Sequence, residues 1–95
     1  MNYIQQLASK IKSELAAEQI PENSEQLFNM YAVLALVKGS EVTNKDVHNA
    51  WCAWISSVNP SHESAIPFEH LSKSVQDMDE PYTEAIRKAA ASLRQ

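Results

Sequence analysis

Apolar residues recur first at spacings of three and four: Tyr3, Ile4, Leu7, Ile11 and Leu15, with Lys10, Lys12 and Glu14 between them. That period places one stripe along an amphipathic helix, predicted from about Asn2 to Glu18 and stopped by Pro21. The next run has a different character. From Leu27 to Val37 the chain reads Leu-Phe-Asn-Met-Tyr-Ala-Val-Leu-Ala-Leu-Val, apolar on nearly every side of a helix, so neighbours must cover it. Asn23 or Ser24 is placed to cap this helix, Glu25 and Gln26 suit its first turn, and Lys38 with Gly39 closes it, the glycine being free to take a left-handed conformation. At ~1.5 Å per residue the run is too short to span a bilayer, so its cover comes from the same chain or from a partner.

Thr43-Asn44-Lys45-Asp46 has the spacing of a capping box and starts a third helix. Within it Val47, Ala50, Trp51, Trp54, Ile55 and Val58 share a stripe, which predicts that both tryptophans pack against the central helix and that truncating either costs ~3–5 kcal/mol and leaves no well-folded protein. Asn59-Pro60 ends this helix. Pro60 and Pro67 bias the residues before them to extended backbone, giving a loop over residues 59–71 from which Ile66, Phe68 and Leu71 reach the core. Ser72 can cap a short fourth helix over Lys73 to Met78. Pro81 is tolerated in a first turn but not in a helix interior, so a last helix is predicted from Glu80 to about Leu93, capped by Asp79, with Tyr82, Ile86, Ala89, Ala90 and Leu93 facing inward; the alternative is one helix kinked at Pro81. The expected fold is all-α: a compact four- to five-helix bundle around a buried helix at about 25–38, a single domain over residues 1–95.

Composition narrows the function. A chain of 95 residues that is 44% hydrophobic holds one core. Gly39 is its one glycine, so phosphate-cradling loops and dinucleotide fingerprints are excluded. A net charge of −4 has the wrong sign for direct nucleic-acid binding. The lone Cys52 makes no internal disulfide, and no leader or membrane segment is evident, which reads as a cytoplasmic protein.

Four groups of residues carry candidate chemistry. His48 and Cys52, four apart on one helical face, have the spacing of two metal ligands; a structural zinc needs four, and His62 and His70 lie in another segment, so no metal or cofactor is expected. Read structurally, His48 is a helix-surface residue bordering the tryptophan stripe and Cys52 a part-buried side chain. His62, Glu63, Glu69 and His70 cluster in the loop, where a histidine with a carboxylate does acid-base work if both line a cleft, and otherwise is solvated. Asp77, Asp79 and Glu80 precede a proline-started helix and are explained by capping. Residues 60–84 nevertheless set Glu63, Glu69, Asp77, Asp79, Glu80 and Glu84 against Lys73 alone, a formal −5 that is able to steer a basic partner. Phe28, Tyr31, Tyr3 and Tyr82 read as core aromatics.

His48-Asn-Ala-Trp51, Ala65-Ile-Pro67-Phe68-Glu-His-Leu71, Gln76-Asp-Met-Asp79-Glu-Pro81-Tyr82 and Ala85-Ile86-Arg87 together resemble a family of small uncharacterised bacterial and phage proteins, and Leu27 to Gly39 shares the likeness. More distantly, His48-x-x-Trp51 and Pro67-Phe68-x-x-Leu71 resemble the repeat domain of ryanodine receptors, although the Gly-Trp-x-Tyr-Gly segment of that domain is missing. The distant likeness implies a nucleotide-like ligand at His48, Trp51 and Pro67; a small-ligand sensor would use His48, Trp51, Tyr82 and the Pro67 loop as its pocket.

The leading expectation is a non-enzymatic interaction module of a bacterium or phage, an adaptor or inhibitor that binds a basic protein partner through the acidic face. A small-ligand sensor is the alternative, and a metal-dependent hydrolase using His48, Cys52, His62 and His70 is third. A helix apolar all round also leaves room for a homodimer.

Overall fold

The computed structural model describes residues 2–93 and is all-α: α1 (Tyr3–Ser13), α2 (Glu25–Lys38), α3 (Asn44–Val58), α4 (Lys73–Asp77) and α5 (Glu80–Ser92). Short 3-10 turns at Ala17–Gln19, Gly39–Glu41 and Phe68–His70 punctuate the connections. None of the described helices is long and apolar enough to cross a membrane.

Helix starts follow local chemistry. The Asn2 side chain accepts from the Gln5 amide at 2.8 Å while the Gln5 side chain accepts from the Asn2 amide at 3.1 Å. Thr43 and Asp46 form the same reciprocal box for α3, at 3.2 and 3.0 Å. Ser72 accepts from the Val75 amide to start α4. The caps expected for α2 and α5 differ. The Ser24 hydroxyl donates to the Pro21 carbonyl at 2.5 Å instead of accepting from its helix, and Asn23 takes a left-handed φ of 56°. Asp79 occupies the position before α5 without bonding an amide there. Pro81 does begin a separate helix, where its missing N–H costs nothing. Gly39 ends α2 with φ 59° and ψ −129°, backbone accessible to glycine because it has no Cβ.

The first helix ends earlier than its apolar period. Ser13 closes it, its hydroxyl donating to the Lys10 carbonyl at 2.6 Å, and the chain turns extended at Ala16 before the 3-10 turn. Tyr3 is exposed, because its side of α1 lies beyond the reach of α2 and α5.

The core lies where α1, α2 and α5 meet and α3 closes over them, built from Ile11, Leu27, Phe28, Ala32, Val47 and Ile86 among others. Three polar ties fix the frame: the Tyr82 hydroxyl donates to the Gln19 carbonyl at 2.7 Å, Arg87 Nε to the Val42 carbonyl at 2.9 Å, and the Thr83 hydroxyl lies 2.6 Å from Asn44 Oδ1.

The central helix is covered on one side only. Leu27, Phe28, Tyr31, Ala32 and Ala35 are buried, whereas Val33, Leu36 and Val37 are exposed, Val37 to 74%. Four other helices, one of them five residues long, do not supply enough neighbours to surround it. Val58, Ile66 and Leu93, expected inside, are exposed: Val58 is the last residue of α3, Leu93 follows α5, and Ile66 lies in the loop before the Phe68–His70 turn.

Candidate functional site

The capping box at Thr43 sets the phase of α3, and that phase places His48, Trp51 and Cys52, spaced three and four apart, toward the proline-containing loop. His48 is not a surface residue. It is 3% exposed, stacked on Trp51 with ring centroids 5.7 Å apart and flanked by Phe68 at 6.0 Å. Its Nε2 lies 2.7 Å from the Ile66 carbonyl. A carbonyl can only accept, so Nε2 carries the proton and donates. Nδ1 is left facing Asp79 Oδ2 at 3.9 Å, too long for a direct hydrogen bond.

His48, Trp51 and Asp79 line one wall of a pocket of about 450 Å³. Tyr31 of α2, Tyr82 of α5, Val75 of α4, and His62 and Glu63 of the loop are among its other lining residues. The ring of His62 meets that of Trp51 edge-on at 4.9 Å, and its Nδ1 accepts from the Ser64 amide at 3.1 Å, which shapes the loop around the indole. Tyr31 and Tyr82 stand 6.0 Å apart, tilted by 44°. No lysine or arginine is among the lining residues.

The residues expected to form a pocket are therefore mostly brought together: His48, Trp51 and Tyr82 line it, and Pro67 does not. The role of Pro67 is indirect. A residue before proline is confined to extended backbone, and here that residue is Ile66, whose carbonyl holds His48. Tyr31, His62 and Asp79 are lining residues that the sequence assigned to the core, the loop and the acidic face.

The six carboxylates of the acidic segment are not equivalent. Glu69 pairs with Lys45, Asp77 with Lys73 at 2.6 Å, Glu84 with Arg87 at 3.2 Å, and Glu80 accepts from Asn44 at 2.9 Å. Glu63 and Asp79 line the pocket. The Asp79 side chain is 17% exposed and turned away from its own helix amides. Burial pushes its carboxyl up to about 6, with the His48 ring pulling the other way. Burial, and after it the charge of Asp79, also raises the Tyr31 and Tyr82 hydroxyls above the ordinary tyrosine value.

Cys52, His48 and Asp79 fall in the order of a thiol, base and orienting acid, with Sγ 3.2 Å from Nε2. The geometry does not activate the thiol. The proton of Nε2 is committed to the Ile66 carbonyl, Asp79 is beyond hydrogen-bond reach, and burial together with the charge of Asp79 pushes the thiol up, opposite to what a nucleophile needs. Among the described residues no three His, Cys, Asp or Glu side chains are grouped to hold a metal ion, so His48, Cys52, His62 and His70 do not converge as ligands.

The profile of a family described as a domain of unknown function (DUF7701) matches residues 2–91. No curated protein and no solved structure matches the chain.

Proposed function

The chain belongs to the DUF7701 family, and on that premise we propose that it is a non-enzymatic binding domain whose site is the pocket between α2, α3, α5 and the 59–71 loop. The observation that carries this reading is the convergence of Tyr31, His48, Trp51, Asp79 and Tyr82, from three helices and an inter-helix position, on one concave space of about 450 Å³. Concave, aromatic-walled sites with a few polar groups are where small ligands are retained. The lining supports a ligand without phosphates, because two carboxylates and no lysine or arginine would repel them.

A thermal-shift screen of nucleosides, nucleotides and aromatic amines tests it. A ligand at about 100 times its dissociation constant adds ~2.7 kcal/mol of stability, and Trp51→Ala should abolish that gain. A screen in which nothing shifts, or a shift that survives Trp51→Ala intact, would overturn the pocket reading.

A second reading, an adaptor or inhibitor of bacterial or phage origin that grips a basic protein, draws support from Glu63 and Asp79 sharing the same pocket. Converting Asp77, Asp79 and Glu80 together to their amides should then weaken capture of a basic partner in a salt-sensitive way. Unchanged capture would remove it.

A further inference from the structure

Asp79 differs from Asp46, a carboxylate of similar exposure among the described residues. Asp46, with a side chain 15% exposed, is held by Lys38 at 2.9 Å and by the Thr43 amide at 3.0 Å. Asp79 is nearly as buried, yet its side chain has no partner among the described residues closer than His48 Nδ1 at 3.9 Å. Its oxygens are not sealed from solvent but open to the pocket, so a guest that displaces the water there has to supply a donor in its place.

His48 adds a second incomplete group. The ring is 3% exposed, its Nε2–H is spent on the Ile66 carbonyl, and in the neutral ring Nδ1 is an acceptor without a donor. Two acceptors 3.9 Å apart on one wall leave room for a single nitrogen about 2.9 Å from both. The faces around them belong to Trp51, Tyr31 and Tyr82, and such rings attract cations. Phosphate, carboxylate and other anions are disfavoured by Glu63 and Asp79, and a purely apolar guest would strand both acceptors without partners.

We infer that the ligand of this pocket carries a primary ammonium group on a flat body, its nitrogen donating to Asp79 Oδ2 and His48 Nδ1 together while Trp51 and Tyr82 cover the attached body. This rests on the pocket being the binding site and adds the chemical class of what fills it. The ammonium replaces the water at the half-buried carboxylate with a charged donor, and the volume accommodates an aromatic monoamine. A free amine and the lysine side chain of a partner present the same group.

Calorimetric titration of the whole chain at pH 7.5 and low salt, with a matched series of probes, tests the inference. Phenethylamine should bind at least ten-fold tighter than 2-phenylethanol, its neutral counterpart, and tighter than phenethyltrimethylammonium, which keeps the charge but has no N–H to donate. Asp79→Asn should erase the preference for amine over alcohol, with circular dichroism showing the variant folded. A Gly-Lys-Gly peptide, whose ammonium sits on an aliphatic chain, should bind more weakly than phenethylamine; tighter binding would assign the ammonium to a partner's lysine and overturn the flat body. Amine and alcohol binding equally well would overturn this inference and leave the pocket reading standing. Equal binding of the trimethylated probe would overturn the two-acceptor geometry. No heat and no protection with any probe at millimolar concentration would overturn both.

Discussion

Replacing Asp79 by asparagine should make the protein more stable at neutral pH and no more stable in acid. Burial lifts the Asp79 carboxyl from its ordinary 3.8 to about 6, against the pull of His48. A carboxyl whose value is raised by folding supports the native state fully only below its unfolded value, and that support is lost as pH rises through about 6. The whole shift corresponds to about 3 kcal/mol; because solvent still reaches the rim of the side chain, a net penalty of about 1–2 kcal/mol at pH 8 is the reasonable expectation. Asparagine has the same shape and never bears the charge. The groups that interact electrostatically with Asp79, namely His48, Cys52, Tyr31 and Tyr82, are common to both chains. Urea unfolding of each, followed by circular dichroism from pH 4 to 8, gives the difference from the midpoints at shared slope. The two stability curves should coincide near pH 4, part between pH 4 and 6, and run parallel above pH 7 with the variant higher. A variant less stable than the parent at pH 8 would refute the reasoning, because it would mean that the carboxylate is stabilising where it stands.

Other substitutions sort the fold from the site. Trp54 is 8% exposed and Trp51 only half-buried, so Trp54→Ala should cost ~3–5 kcal/mol and Trp51→Ala about half that, leaving a folded chain; equal costs in urea unfolding would contradict the difference in packing. Thr43→Ala removes one bond of the α3 capping box and should lower stability by ~1 kcal/mol, with no change pointing to a cap that is not formed in solution. Val37→Ser should stay within about 0.5 kcal/mol of the parent, because Val37 has little to lose; a cost above 2 kcal/mol would mean that something covers this face of α2.

What can be read from the sequence depends on how local the governing interaction is. The starts of α3 and α4 are legible at Thr43 and Ser72 because a cap bonds amides two or three residues away. Pro81 likewise dictates a helix start through its own ring. The end of α1 is not legible in its period, since Leu15 continues the apolar spacing although the helix has already ended at Ser13 and the chain turns extended at Ala16. The run from Leu27 to Val37 states that its helix wants cover on all sides, but how much cover exists depends on how many helices the whole chain supplies. The pocket divides in the same way. His48 and Trp51 share a face by spacing alone, and Tyr82 lies on the inner stripe of the last helix. The contact of His62 with Trp51 follows from the path of the 59–71 loop, and the inward turn of Asp79 belongs to the break between α4 and α5; no period encodes either. Runs of carboxylates look like one acidic face in sequence; the lysines and arginine that pair with Glu69, Asp77 and Glu84 come partly from other helices, so the charge that remains uncompensated is visible only in three dimensions.

The chain contains two indoles, Trp51 on the pocket wall and Trp54 in the core. Nitrogen-15 correlation spectra recorded while phenethylamine is added therefore test the central claim directly. The account predicts that the Trp51 indole N–H signal moves progressively while that of Trp54 stays in place. Movement of neither, or shifts confined to the backbone amides of Val33, Leu36 and Val37, would contradict it.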